Sequence, residues 1–163
     1  MKTMKFGLLT SLVLVAVLSA CKTPTTIHNE YATSRFNVEC LGIDPDGSQT
    51  LRSWGSGINK DKAIEQALRK AVEAVIFSVI TDGSAGCSKV PLLNEVNARE
   101  RHEDYFNSFF AEGGAFNRFV NLEEKRTSRI KSANSSMETW GVVVKINRST
   151  LKKHLQSDNI IKP

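Results

Sequence analysis

The sequence predicts an α+β domain in which an antiparallel sheet of about four strands packs against two main helices. Three patterns support this class: two alternating segments near the start of the folded part, a long helix-period apolar stripe, and two more alternating segments near the end. The expected order is strand, strand, helix, helix, strand, strand, helix. Because strands come in consecutive pairs, this order favours an α+β layer over a parallel α/β sheet.

The first strand pair is predicted to be a hairpin. Phe36, Val38 and Cys40 alternate with polar residues, as on a half-buried strand, and residues 51–57 form the partner. The turn signal between them is residues 44–47, Asp-Pro-Asp-Gly, which is longer than a two-residue connection. A calcium loop would need further ligands ending in a glutamate, so we interpret this segment as a turn.

Residues 60–80 show the clearest periodic signal. Asn59 is the predicted N-cap, and Glu65 and Arg69 form a helical i,i+4 pair. Alanines in the apolar stripe allow the helix backbone to approach the sheet closely, which indicates a core helix. The stripe consists of Ala63, Ile64, Ala67, Leu68, Ala71, Val72, Val75, Ile76 and Val79.

A second helix is predicted to begin at Pro91 and to end at Gly113-Gly114. Its apolar positions include four aromatic residues, Tyr105, Phe106, Phe109 and Phe110. Such a cluster is typical of a packed core. The alternative is a platform for a ligand, presented by Tyr105 and Phe109.

The third strand is predicted to carry one basic face. Apolar residues of one parity alternate with basic residues of the other, namely Val120, Leu122 and Ile130 against Lys125, Arg129 and Lys131. Two interpretations of the basic face stay open. It attracts acidic envelope polymers or lipid head groups, or it is a solvated edge that prevents aggregation. A turn over 132–136, a strand over 140–146 and a short helix over 150–155 complete the expected fold.

The N-terminal segment is typical of a secretory signal. Lys2 and Lys5 precede an apolar run over 7–17, which is too short to span a bilayer. The sequence Leu-Ser-Ala-Cys over 18–21 resembles the bacterial lipobox. The resemblance implies cleavage before Cys21 and acylation of its thiol and its new amine, and two or more acyl chains hold a protein stably on a membrane.

The remaining chain of about 140 residues has the usual size of one domain. We expect a signal peptide over 1–20, a lipidated flexible tether over 21–34, one α+β domain over 35–157 and a C-terminal tail over 158–163. The tether is Thr-rich without apolar periodicity, and fully extended it reaches roughly 40 Å from the lipid surface.

Charge and cysteine content exclude some partners and leave one question open. The formal charge of +5, which falls when Lys2 and Lys5 are removed, is too mild to indicate nucleic-acid binding. Cys40 and Cys87 remain after lipidation. An exported pair is more often bridged than a cytosolic one. Because the sequence does not give their Cα separation, bridged and free forms both stay open.

No residues form a recognisable catalytic or metal-binding pattern. His28, His102 and His154 are isolated, without metal-ligand spacing. Glu123 and Glu124 are adjacent on a predicted strand, which sends them to opposite faces. We therefore expect no enzymatic activity, no metal and no cofactor.

The packing motifs carry a family resemblance. A first strand ending near Gly42, a Gly55-x-Gly57 pair and alanines every fourth residue from Ala63 resemble the Lpp-twenty type of bacterial outer-membrane lipoprotein. The chain is also similar to the N-terminal domain of the flagellar assembly protein FlgT, and the run over 140–155 fits both. The resemblance implies a building block of envelope structures without catalytic residues. The cysteine pair and the aromatic second helix depart from this type.

These observations predict a lipid-anchored, non-enzymatic subunit of the bacterial outer membrane that is structural or binds envelope proteins. In the enteric lipoproteins that this chain resembles, an aspartate directly after the lipidated cysteine marks retention in the inner membrane. This chain has Lys22 at that position, which favours the outer membrane. The domain would face either the periplasm or the cell surface. The alternative is a binding module for a small ligand or a cell-wall polymer. Its binding face would consist of Tyr105, Phe109, Lys125, Arg129 and Lys131.

Overall fold

The core of the fold is an antiparallel sheet with the spatial order β1-β2-β4-β3. The computed structural model describes residues 38–130 and 136–162, and within them four strands form this sheet. The strands are β1 (Glu39–Ile43), β2 (Gln49–Gly57), β3 (Val120–Ile130) and β4 (Glu138–Ile146). The predicted α+β class with an antiparallel sheet is confirmed.

The turn between β1 and β2 is closed by its own polar groups. The backbone amide of Gly47 donates to the carbonyl of Asp44 over 2.9 Å, and the amide of Ser48 donates to the Asp46 carboxylate over 2.9 Å. Gly47 has φ of 80°, a conformation that glycine adopts without steric cost. The predicted hairpin is confirmed, although Phe36 lies outside the described residues.

Helix α1 (Lys60–Phe77) lies against β2 and β4. The side chain of Asn59 accepts from the amide of Lys62 over 3.0 Å, so the predicted N-cap is confirmed. Glu65 and Arg69 also form the predicted pair, at 3.5 Å. The helix ends at Phe77 rather than near residue 80, because the backbone of Ser78 is extended.

The predicted long second helix from Pro91 is wrong. Residues 78–97 are irregular, and the helical segments are only α2 (Ala98–Arg101) and α3 (Glu103–Phe109). The amides of Leu92 and Leu93 instead donate to the carbonyls of Val75 and Ile76 in the last turn of α1. These carbonyls have no partner within a helix, so the extended loop satisfies them.

A 3-10 helix (Ala115–Phe119) leads into β3, and α4 (Arg148–Ser157) follows β4. Asn147 caps α4 by accepting from the amide of Thr150 over 3.0 Å. Beyond α4, Ile160 is buried and its amide donates to the carbonyl of Leu155. Ile161 also packs against the core, so the tail expected over 158–163 packs on the domain as far as Ile161.

The hydrophobic core lies between the sheet and the helices. Leu51 on β2 and Val142, Val144 and Ile146 on β4 are fully buried. On the other side of the core, aromatic residues from α3 to the 3-10 helix pack together with α1 and α4. They are Phe106, Phe109, Phe110, Phe116 and Phe119. Of the four aromatic residues predicted as packed core, Phe106, Phe109 and Phe110 are buried as expected, and Tyr105 is half-buried against them.

The alternation predicted along β3 is broken by a register shift. Val120 and Leu122 lie opposite Ile146 and Val144 on β4, whereas Thr127 lies opposite Val142. Between these two pairs, β3 covers five residues and β4 covers two. The face of β3 that carries even-numbered residues before the shift therefore carries odd-numbered residues after it. A single basic face with constant parity does not match this register. Irregularities that interrupt the ladder are frequent on edge strands such as β3.

Candidate functional site

The aromatic residues predicted as a ligand platform are engaged by the protein itself. Phe109 is only 3% exposed, and its ring lies 4.9 Å from Phe110 and 6.0 Å from Phe119, measured between centroids. Tyr105 is partly exposed and stacks on Phe109 at 5.8 Å. Phe109 is therefore a core residue, and it offers no surface for a ligand.

The hydroxyl of Tyr105 donates to the Asp158 carboxylate over 2.8 Å, which joins α3 to the end of α4. Burial of the phenol, and then this hydrogen bond, raise the pKa of Tyr105 above its ordinary value. The same hydrogen bond is the main cause of a lowered pKa at Asp158. Asp158 is therefore ionised at neutral pH and keeps Tyr105 in its protonated form.

His154 is held between aromatic rings and polar groups. Its ring stacks on Phe119 with centroids 4.9 Å apart, and its Nε2 lies 3.4 Å from the Asp158 carboxylate. A guanidinium nitrogen of Arg118 lies 3.5 Å from the same Nε2. Arg118 also lies over the Phe119 ring, 5.6 Å from its centroid. These contacts fix an arginine and a histidine side by side at the surface.

The two side chains open into a concave surface between α4 and the 3-10 helix, which we call the basic groove. Its lining residues are Arg118, Phe119, Thr150, Lys153, His154 and Ser157, and its volume is about 410 Å³. Four of them occupy one face of α4, because their spacing follows the helical repeat. The lining of the groove brings together two permanent cations, an imidazole and two hydroxyl groups.

A second concavity lies between the start of α1 and β3. It has a volume of about 590 Å³ and is lined by Lys60, Asp61, Ile64, Glu65, Leu68, Leu122 and Thr127. Its apolar side chains are partly exposed, and its charges are of both signs. This mixture of apolar side chains and charges of both signs does not indicate a class of ligand.

None of the described contacts joins Tyr105 to the basic residues that were predicted to share its binding face. Lys125 and Arg129 belong to β3, where Arg129 lies opposite Trp140 in the ladder, and their side chains are not described. Lys131 lies outside the described residues, as does the predicted lipidation site Cys21. Whether these residues bind a polymer or a lipid stays a prediction.

Cys40 and Cys87 form a disulfide, with their Cα atoms 6.2 Å apart. This separation lies within the range that disulfides require. The bridge ties β1 to the 78–97 loop, and two backbone hydrogen bonds run alongside it: the amide of Cys40 donates to Asp82, and the amide of Ser84 donates to Cys40. The outer edge of β1 is thereby paired at Cys40.

Within residues 38–130 and 136–162, no group of three or more histidine, cysteine, aspartate or glutamate side chains is arranged to hold a metal ion. Among the helices in these ranges, none has the length and apolar content that a membrane span needs. The absence of enzymatic activity stays a prediction.

Sequence reasoning did not find the basic groove. The spacing of Thr150, Lys153, His154 and Ser157 on one helical face was a readable signal. Arg118, however, lies 36 positions before His154 along the chain. In the folded chain the 3-10 helix places Arg118 next to α4.

Comparisons with family models, with curated proteins and with solved structures found no match to this chain. The resemblance to the Lpp-twenty type of lipoprotein and to the FlgT N-terminal domain therefore stays a prediction from the residues that carry it.

Proposed function

We propose that this protein is a lipid-anchored, non-enzymatic subunit of the bacterial outer membrane that is structural or binds other envelope proteins. The observation that carries the proposal is the N-terminal pattern, a basic start, a short apolar run and Leu18-Ser19-Ala20-Cys21. Acylation of Cys21 would hold the protein on the membrane, and the tether over 21–34 would separate the domain from the lipid surface.

The disulfide supports export. Bridges between cysteines form and persist in oxidising compartments, whereas cytosolic thiols are kept reduced. Cys40 and Cys87 join two segments that are 47 positions apart, so the bridge closes a long loop of the domain. A periplasmic or surface location is consistent with such a structural disulfide.

Burial of the aromatic cluster favours a protein-interaction or structural role over a binding module built on that cluster. That module would need Tyr105 and Phe109 exposed around a pocket. Phe109 is buried instead, and the Tyr105 hydroxyl is already bonded to Asp158. The cluster therefore stabilises the domain and leaves recognition to other surfaces.

The anchor is tested with Cys21→Ala, using Lys22→Ala as the matched control because it changes the next residue and keeps the cysteine. Metabolic labelling with a radioactive fatty acid should label the native chain and the control, but not Cys21→Ala. Membrane fractionation should place the first two in the outer-membrane fraction. Equal labelling of all three chains would contradict the anchor.

The partner is tested by photo-cross-linking in intact cells. Val96 and Ile58 are suitable positions for a photoreactive residue, because they are 83% and 78% exposed and lie in different loops. A short list of envelope proteins captured by the native chain, and lost with Cys21→Ala, would support the proposal. Capture of cell-wall fragments alone would favour the binding module.

A further inference from the structure

We infer that the basic groove binds a phosphate group, carried either by a small soluble molecule or by a lipid head group. The inference is independent of the proposed membrane anchor, because it depends only on the residues between α4 and the 3-10 helix. Arg118 and Lys153 supply positive charge, and Thr150 supplies a hydroxyl group.

The charge of the lining favours an anion. Among the six described residues that line the groove, none carries a carboxylate. The nearest acidic group in the network is Asp158, which contacts His154 and accepts from Tyr105. Its carboxylate also lies 3.1 Å from the Ser157 hydroxyl, so this negative charge lies beside the groove and outside the lining itself. An anion in the groove would meet two cations without facing a like charge in the lining.

The donors fit a phosphate in number and kind. A guanidinium presents N–H groups in a planar fork that matches phosphate oxygens, and an ammonium adds a compact charge. The Thr150 hydroxyl lies on the same helical face as Lys153, whereas the Ser157 hydroxyl already donates to the His154 carbonyl over 2.7 Å. A phosphate has three or four oxygens to accept from such a set, whereas a carboxylate has only two.

The key cation is held in place before any ligand binds. The Arg118 guanidinium lies over the Phe119 ring, and Phe119 is itself buried against His154 and Phe109. A side chain held in its binding conformation loses less rotamer freedom on binding. This distinguishes Arg118 from a cation on an unsupported surface.

The groove is large enough to admit a phosphate that is attached to further atoms. A volume of about 410 Å³ falls in the range of small-molecule sites and exceeds the needs of an inorganic ion. The Phe119 ring provides an apolar wall beside the cations. A phosphoester with a short organic moiety would fill both parts of the groove.

The experiment follows the imidazole resonances of His154 by NMR in the full-length protein, kept in a neutral detergent at constant salt. One arm titrates inorganic phosphate, and a second arm titrates dihexanoyl phosphatidylglycerol below its micelle concentration. The test variant combines Arg118→Gln with Lys153→Gln. The control combines Lys70→Gln with Lys152→Gln, which removes the same two charges from exposed positions outside the groove.

We expect a saturable shift of His154 in the native chain and in the control. The dissociation constant should rise roughly tenfold or more in the Arg118/Lys153 variant, because two charged hydrogen-bond donors are lost. Circular dichroism checks that this variant is folded, which is expected since both side chains are exposed. Saturation by both probes would identify a general phosphate site, and saturation by the lipid probe alone a head-group site.

Two results would overturn the inference. One is the absence of any saturable shift of His154 with either probe. The other is an equal loss of affinity in the test variant and in the charge-matched control, which would show that only the net charge of the protein attracts the anion.

Discussion

A Cβ atom at Gly55 would lie 2.1 Å from the carbonyl oxygen of Ala63. It would also lie 2.4 Å from the backbone nitrogen of Ala67, so both obstacles belong to the backbone of α1. The helix therefore rests directly on β2 at this point. A glycine in the strand and fully buried alanines in the helix are both needed for this approach.

We predict that Gly55→Ala destabilises the domain by about 3 kcal/mol, at the upper end of the range for overpacked cores, because a backbone obstacle moves only if α1 shifts. Urea unfolding followed by circular dichroism measures the change. Gly86→Ala is the matched control, since Gly86 is exposed and its nearest neighbour would be the Ser84 hydroxyl at 4.0 Å. The control should change stability by less than about 0.5 kcal/mol. Equal midpoints for both variants would contradict the close packing.

The N-cap of α1 gives a second prediction. Asn59→Ala removes the side-chain acceptor for the amide of Lys62 and should cost about 1 kcal/mol of stability. Asn59→Asp keeps the acceptor, adds a negative charge at the helix N-terminus and should retain or raise stability. The urea midpoints of the two variants check this. A loss of equal size in Asn59→Asp would show that the side-chain acceptor is not what stabilises this helix end.

Local patterns predicted those elements whose stabilising contacts are close in sequence. The turn at 44–47, the Asn59 cap and the alanine stripe of α1 all depend on neighbours within one or two turns of chain. The approach of Ala63 to the sheet was also anticipated. These features follow from residue type and spacing alone.

The features that the sequence did not reveal depend on contacts between distant segments. The 92–93 segment satisfies the carbonyls at the end of α1, which removes it from the predicted second helix. The register shift in β3 depends on pairing with β4, and the basic groove depends on the meeting of Arg118 with His154. A one-dimensional pattern contains no information about such pairings.

The disulfide gives a third prediction. Reduction should destabilise the domain by about 4 kcal/mol in the chain-entropy account, because a loop of 47 positions is released in the unfolded state. Denaturant unfolding with and without a thiol reductant measures this difference. The matched control is a Cys40→Ala/Cys87→Ala variant, in which reductant should have no effect. A midpoint that is insensitive to reductant in the native chain would contradict a stabilising bridge.

The raised pKa of Tyr105 gives a prediction at alkaline pH. Because the folded protein holds the phenol protonated, its contribution to stability is complete below the ordinary tyrosine pKa of about 10 and is lost as the pH rises above it.

The chain has two tyrosines, Tyr31 and Tyr105. We expect the phenolate absorbance of Tyr31→Phe, which retains only Tyr105, to rise later than that of free tyrosine and to coincide with alkaline unfolding seen by circular dichroism. Tyr105→Phe should lack this delayed component, and its stability should fall less steeply between neutral and strongly alkaline pH. If Tyr31→Phe titrates near pH 10 while the protein is still folded, the phenol is not held by burial and by Asp158.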